Sequence, residues 1–214
     1  MARLRLVLAS NNAKKLRELQ TLLGALPLEL VAQGSLGVAE AEEPHATFLE
    51  NALAKARHAA AASGQAAIAD DSGLCVPALG GAPGVISAHY AGLVAPTADR
   101  EATRRQQDAA NNQLLLQRMQ AFTTPAQRRA RFVCTLVAVR AADDPEPLVA
   151  FGRWEGYLLT EARGDAGFGY DPLLHIPDAG CSVAEMTPAQ KNGISHRALA
   201  AAQMAALMRE AWGL

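Results

Sequence analysis

Apolar residues recur along this chain with two alternating periods, and the alternation predicts its elements. Leu4 to Ala9 is a short apolar run with the length of a buried strand. Leu16, Leu19, Leu22 and Leu23 then return at helical spacing after a cap at Asn11 or Asn12, and Gly24 and Pro27 end that helix. Leu28 to Ala32 predicts a second strand. An acidic loop, Glu40 to Pro44, precedes a helix from about Thr47 to Ser63 with Phe48, Ala52, Ala56 and Ala59 on one stripe. Ala66 to Ala69 predicts a third strand, ending in Asp70 and Asp71.

Residues 72 to 96 have no helical period and are rich in Gly and Pro, yet keep Leu, Val, Ile and Tyr to pack, which predicts an ordered loop region. A helix is expected over Thr97 to Ala121. Arg129 to Ala141 and Leu148 to Leu159 predict two long strands joined through the turn Asp143-Asp144-Pro145. A glycine-rich loop, Gly164 to Gly169, leads to a short strand at Leu173 to Ile176, and a last helix spans about Ser195 to Trp212. Interleaved strands and helices with one long hairpin make this a mixed α/β protein. No repeat or linker divides the chain, so residues 1–214 are expected to form one domain.

Composition narrows the partners. The 214 residues are 50% hydrophobic and 19% charged, enough to bury a core without disulfides or a structural metal. A net charge of −1 lacks the basic excess of a protein that coats nucleic acid, so no nucleic-acid partner is expected. Cys75, Cys134 and Cys181 are odd in number and far apart, which suits small buried hydrophobes. Met1-Ala2-Arg3-Leu4-Arg5 leads into an apolar run too short for a signal-peptide core, and no run approaches the ~20 residues of a membrane span. A soluble, cytoplasmic protein without a membrane partner is expected.

Four stretches look chemical. Ser10-Asn11-Asn12-Ala13-Lys14-Lys15 joins a strand to a helix, where free backbone N–H groups, Ser and Asn donors and the Lys15 charge suit a phosphate. It is not a Walker A loop, and it reads equally as an ordinary helix cap. Asp70-Asp71-Ser72-Gly73 places two adjacent carboxylates at a strand end, a costly arrangement unless a cation neutralises them. Mg²⁺ takes hard oxygen ligands and would suit the pair, with Glu42 and Glu43 completing the shell. A carboxylate there could also act as a general base. The alternative is a solvated turn. Gly167-Phe168-Gly169-Tyr170-Asp171-Pro172 combines close backbone approach with aromatic faces for a planar base, or is only a tight turn. Lys191, Ser195, His196 and Arg197 cluster at the entry to the last helix, able to grip a phosphate and a base edge, or simply to cap and solvate it. His45, His58, His89 and His175 have no metal-ligand spacing, and no GxSxG elbow or Cys–His pair supports a nucleophile.

Together these stretches resemble the Ham1-like inosine triphosphate pyrophosphatases. The family's S/T-x-N-x-x-K opening appears as Ser10, Asn12 and Lys15, and its Phe-x-Glu-Asn-Ala helix as Phe48 to Ala52, followed by Lys55-Ala56-Arg57. Ala69 to Leu74, Leu79 to Gly84, Phe168 to Pro172, and Ala184 to Met186 through Lys191, Ser195, His196 and Arg197 match its other blocks in order and spacing. Asn11 departs from the glycine common there in bacterial members.

The resemblance implies an elongated mixed β-sheet flanked by helices, two lobes around a central nucleotide cleft, and a homodimer. It also implies Mg²⁺-dependent hydrolysis of ITP, dITP, XTP and dXTP to the monophosphate and pyrophosphate, which cleanses the nucleotide pool. Asp71 would be the base and, with Glu42 or Glu43, hold Mg²⁺. Ser10, Asn11, Asn12, Ala13, Lys14, Lys15 and Ser72 would meet the phosphates, while Phe168, Gly169, Tyr170, Asp171, Lys191, His196 and Arg197 would bind the base. Two rivals are a pyrophosphatase of other modified nucleotides and a non-catalytic nucleotide-binding module. The retained acidic cluster speaks against the second.

Overall fold

The computed structural model describes residues 3–214, so the Met1-Ala2 start of the N-terminal reading lies outside it. In chain order the elements are β1 (Leu4–Leu8), α1 (Ala13–Leu22), β2 (Leu28–Ala32), α2 (Phe48–Ser63), β3 (Ala67–Cys75) and α3 (Arg100–Arg118). They continue with β4 (Arg129–Val139), β5 (Leu148–Leu158), β6 (Leu174–Ile176), β7 (Cys181–Ser182), α4 (Pro188–Ile194) and α5 (His196–Trp212). The strands form one sheet in the order β2-β1-β3-β4-β5-β6-β7. β1 runs parallel to β2 and β3, whereas β6 is antiparallel to β5 and β7, so the sheet is mixed as expected.

The chain divides into two compact units. The first takes in the chain through Ser72, Cys134–Gly152 and Ile194–Leu214. Its strands β1, β3 and β4 have runs buried on both faces, which explains why those stretches read as continuous apolar runs. Alternate side chains serve opposite layers. Leu6, Leu8, Ile68, Cys134 and Leu136 pack with Leu19 of α1 and with Ala201, Met204 and Met208 of α5. Val7, Ala67, Ala69, Val137 and Val139 pack instead against Ala52, Ala56, Ala59 and Ala60 of α2. That alanine stripe gives α2 a thin face against the sheet. Thr47 caps the helix by accepting the Glu50 N–H, and its hydroxyl donates to the Glu50 carboxylate. β5 meets the first turn of α5 at Gly152, where any side chain would run into the His196 carbonyl.

The second unit is Gly73–Val133 with Arg153–Gly193. Its core gathers Leu74, Leu115, Met119, Phe132, Trp154, Tyr170, Leu173 and Ile176. Arg128, 4% exposed, donates to the carbonyls of Met119, Phe122, Leu158 and Leu159, tying the end of α3 to β5.

Three elements differ from expectation. α4 and β7 carry too short a pattern to be read from sequence. More consequentially, β3 does not end at Asp70 and Asp71 but continues to Cys75. The carboxylates are therefore mid-strand and point to opposite faces, so they are not a shared pair around one cation.

Candidate functional site

On the α1/α5 face of β3, Asp70 is surrounded by donors. Its Oδ2 accepts from Arg197 Nε at 2.6 Å, and its Oδ1 accepts from Lys15 Nζ and the Ser72 hydroxyl, each at 2.7 Å. Cys134 Sγ approaches Oδ2 at 3.5 Å. Burial pushes the Asp70 carboxyl up, but the charges of Arg197 and then Lys15 outweigh it and hold the group well below the usual carboxylate range. Burial, with Asp70 adding to it, keeps the Cys134 thiol protonated. Arg197 itself is 1% exposed; besides Asp70 it donates to Glu18 and to the Ser72 hydroxyl. Burial disfavours its charge, but Asp70 and Glu18 prevail, so it stays cationic.

Asp71 faces α2. Its Oδ1 accepts from Lys55 Nζ at 2.8 Å, and Lys55 also lies 3.3 Å from Glu43 Oε1. Lys55 donates in addition to the Asp70 carbonyl at 3.1 Å. With one cation in contact rather than two, burial prevails and pushes Asp71 up to about 6, although Lys55 opposes it. Lys55 shows the reverse balance: burial pushes it down, and Asp71 and Glu43 more than restore it. The second oxygen of Asp71 is buried and has no hydrogen-bond partner among the described atoms. An unpartnered, partly basic oxygen on a buried carboxylate is suited to taking a proton or a cation.

The strand-to-helix turn is a cap in the first place. Asn12 Oδ1 accepts the N–H groups of Lys14 and Lys15, and Ser10 Oγ accepts that of Asn12. Three N–H groups expected to face an anion are thus already bonded. Asn11 donates to Glu40 at 2.9 Å, and its amide sits where a side chain at Gly34 would begin. Ala13 is exposed at the start of α1.

The second unit gathers the aromatic loop. Lys191 Nζ donates to Asp171 Oδ2 at 2.8 Å and lies 4.6 Å from the centre of the Phe168 ring. The same Oδ2 accepts the Phe168 N–H at 2.9 Å. At Gly167, φ +80, a side chain would collide with the Asp171 carboxylate. Tyr170 is 4% exposed and donates its hydroxyl to the Ser87 carbonyl, so it is a strut of the core rather than a free aromatic face. A groove of about 420 Å³ in this unit, lined by Pro77, Phe122, Gln127, Arg129, Arg131 and Glu155, contains none of these residues.

Several expectations change. Arg197 was expected to offer donors to a purine; it lies buried beneath Asp70 and spends its donors on Asp70, Glu18 and Ser72. Ser72 likewise serves that network. His196 is buried at the first position of α5. Glu42 is exposed and has no hydrogen bond or ion pair among the described residues, whereas Glu43 joins the Lys55–Asp71 group. Lys55, Glu18 and Cys134 belong to the site although sequence alone assigns none of them a role in it. Lys55 left a signal: it lies three residues after Ala52 and four before Ala59, a charge on the buried stripe of α2.

No three His, Cys, Asp or Glu side chains among the described residues form a metal-binding group. Mg²⁺ alongside phosphates needs only one or two carboxylates. Asp71, through its unpartnered oxygen, and Glu43 beside it fit that smaller demand. No helix among the described residues is long and apolar enough to cross a membrane.

The Ham1 family model matches residues 6–207. A dITP/XTP pyrophosphatase of Methylibium petroleiphilum is 70% identical over 98% of this chain and 99% of its own. One from Leptothrix cholodnii is 69% identical over 99% and 100%. Among solved structures, a HAM1 protein from Coxiella burnetii superposes with a TM-score of 0.85 at 42% identity, covering 97% of this chain and all of that one.

Proposed function

The chain belongs to the Ham1 family, and we propose that it hydrolyses dITP, ITP, dXTP and XTP to the nucleoside monophosphate and pyrophosphate. The observation that carries the reading is Asp71: a buried carboxylate raised to about 6, with one oxygen held by Lys55 and the other unpartnered. Ionised at neutral pH yet near its titration point, it is poised to take a proton from the water that attacks the α-phosphorus. Lys55 holds that carboxylate in place and keeps it from rising further. Lys15 and the Ser10–Lys14 turn meet the negative charge of the triphosphate. The departing group is pyrophosphate, and its charge needs the same neutralisation. When bound, Mg²⁺, held by Glu43 or Glu42 beside Asp71, supplies further neutralisation of the phosphates and the leaving group.

Phe168 to Asp171, Lys191 and His196 serve the base. Hypoxanthine and xanthine present a 6-oxo group and an N1–H, and adenine presents an amino group and no N1–H. A site built to bond the 6-oxo pattern leaves buried groups unpaired with adenine and can discriminate by several orders of magnitude. GTP shares that pattern, so its exclusion acts at the 2-amino group. The same resemblance supports a cytoplasmic homodimer, an assembly that sedimentation tests directly.

The experiment is pyrophosphate release from ITP, dITP, XTP, GTP, ATP and a pyrimidine triphosphate, with Mg²⁺ titrated against EDTA. ITP and XTP should lead GTP by a wide margin, with ATP at or near the bottom and no turnover in EDTA. Equal use of ATP would overturn the base assignment. Full activity without a divalent cation would remove Mg²⁺ from the reading.

A further inference from the structure

Gly169 is held on both sides by one helix. Its N–H donates to Asp108 Oδ2 at 2.8 Å, and its carbonyl accepts from Asn112 Nδ2 at 3.0 Å. Asp108 and Asn112 are four residues apart on α3 and so share one face of it. Gly169 has φ +62 and open space where a side chain would be, so glycine is required there for conformation and not for room. A glycine peptide has few intrinsic restraints, and here both of its peptide planes are fixed from outside the loop. The residue before Asn112 extends the scaffold: Asn111 donates to the carbonyls of Ser87 and Ala88 and accepts the Ala91 N–H. Ser87 in turn receives the Tyr170 hydroxyl.

Asn112 is held at a cost. Its Oδ1 is buried and has no hydrogen-bond partner among the described atoms, while its Nδ2 serves Gly169. A buried amide with an unsatisfied oxygen is a poor choice for stability alone.

We propose that Asp108 and Asn112 are positioning residues for base selection, setting the peptide planes around Gly169 and so the angle at which Phe168 and Asp171 meet the purine. The proposal rests on the reading that Phe168 to Asp171 bind the base. Neither residue touches substrate; each acts through the loop.

The test measures kcat/KM for dITP and dGTP on wild type, Asp108→Ala, Asp108→Asn, Asn112→Leu and Phe168→Ala. The ratio of the two values cancels any difference in active fraction, so a loss of folded protein does not move it. Asp108→Ala and Asn112→Leu should lower the dITP:dGTP ratio between about ten- and a hundredfold, mainly through a higher KM for dITP. Asp108→Asn keeps an oxygen for the Gly169 N–H and should hold the ratio within about threefold of wild type. If Asp108→Ala does not fold, Asn112→Leu decides alone. An unchanged ratio in the folded variants, with Phe168→Ala lowering it, overturns the positioning role and leaves the base assignment standing. An unchanged ratio in Phe168→Ala overturns the base assignment, and the positioning role with it.

Discussion

Asp70 and Asp71 are adjacent in sequence and face opposite sides of β3, the first bonded to Arg197 at 2.6 Å and the second to Lys55 at 2.8 Å. Two cations in contact keep Asp70 ionised and inert. One leaves Asp71 close to neutrality in its titration. Strand alternation thus divides one acidic dipeptide into a structural carboxylate and a reactive one.

Asp70→Asn should therefore be a folding lesion. It leaves Lys15 without its buried counter-charge and Arg197, 1% exposed, with Glu18 alone, and breaking one side of a buried pair costs about 3–5 kcal/mol. Because the folded carboxyl is depressed, its contribution is present above the unfolded value of about 3.9 and lost as pH falls through the lower folded value. Urea midpoints measured from pH 7 downward should show that acid slope in wild type and a flatter one in the variant.

Asp71→Asn should fold and lose turnover. An amide cannot accept the proton of the attacking water, and the loss should be about 10²–10⁴ in kcat. In wild type, kcat should rise with pH through about 6 as Asp71 ionises. A folded Asp71→Asn enzyme with near wild-type kcat would remove the residue from the base role. The raised value also has a stability sign: between about pH 4 and 6 the folded state binds the extra proton, so stability from this group falls as pH rises across that window.

Lys55→Gln tests the coupling. The Lys55 charge lowers Asp71, so removing it should move the acid limb of kcat above pH 6 and depress activity at neutral pH, with recovery in more alkaline buffer. A limb that stays in place would show that Lys55 does not tune the base.

Arg197→Ala should impair ITP and residual ATP turnover by the same factor, alongside lower stability, because its guanidinium serves Asp70, Glu18 and Ser72. A selective loss of ITP turnover would return Arg197 to the base pocket.

Local pattern made much of this legible. The alanine stripe at Ala52, Ala56 and Ala59 marked the buried face of α2, and Ser195 marked the start of α5. Ile68, Asp70 and Ser72 share one face of β3, but a strand carrying two consecutive carboxylates reads from sequence as ended there. Only their partners show why it continues, and those partners are distant along the chain: Lys15 is 55 positions from Asp70, and Arg197 is 127. Asp108 and Asn112 left no local signal, since a polar face on α3 looks solvated until Gly169 is folded against it.

In the proposed reaction water attacks the α-phosphorus of a deaminated purine triphosphate with Asp71 as base. Turnover of dITP with Mg²⁺ in ¹⁸O-labelled water, followed by ³¹P NMR, tests it most directly. Wild type should form dIMP carrying the label and unlabelled pyrophosphate in equal amounts, and Asp71→Asn should form them about 10²–10⁴ times more slowly. Label in pyrophosphate, or release of orthophosphate and the diphosphate, would contradict it.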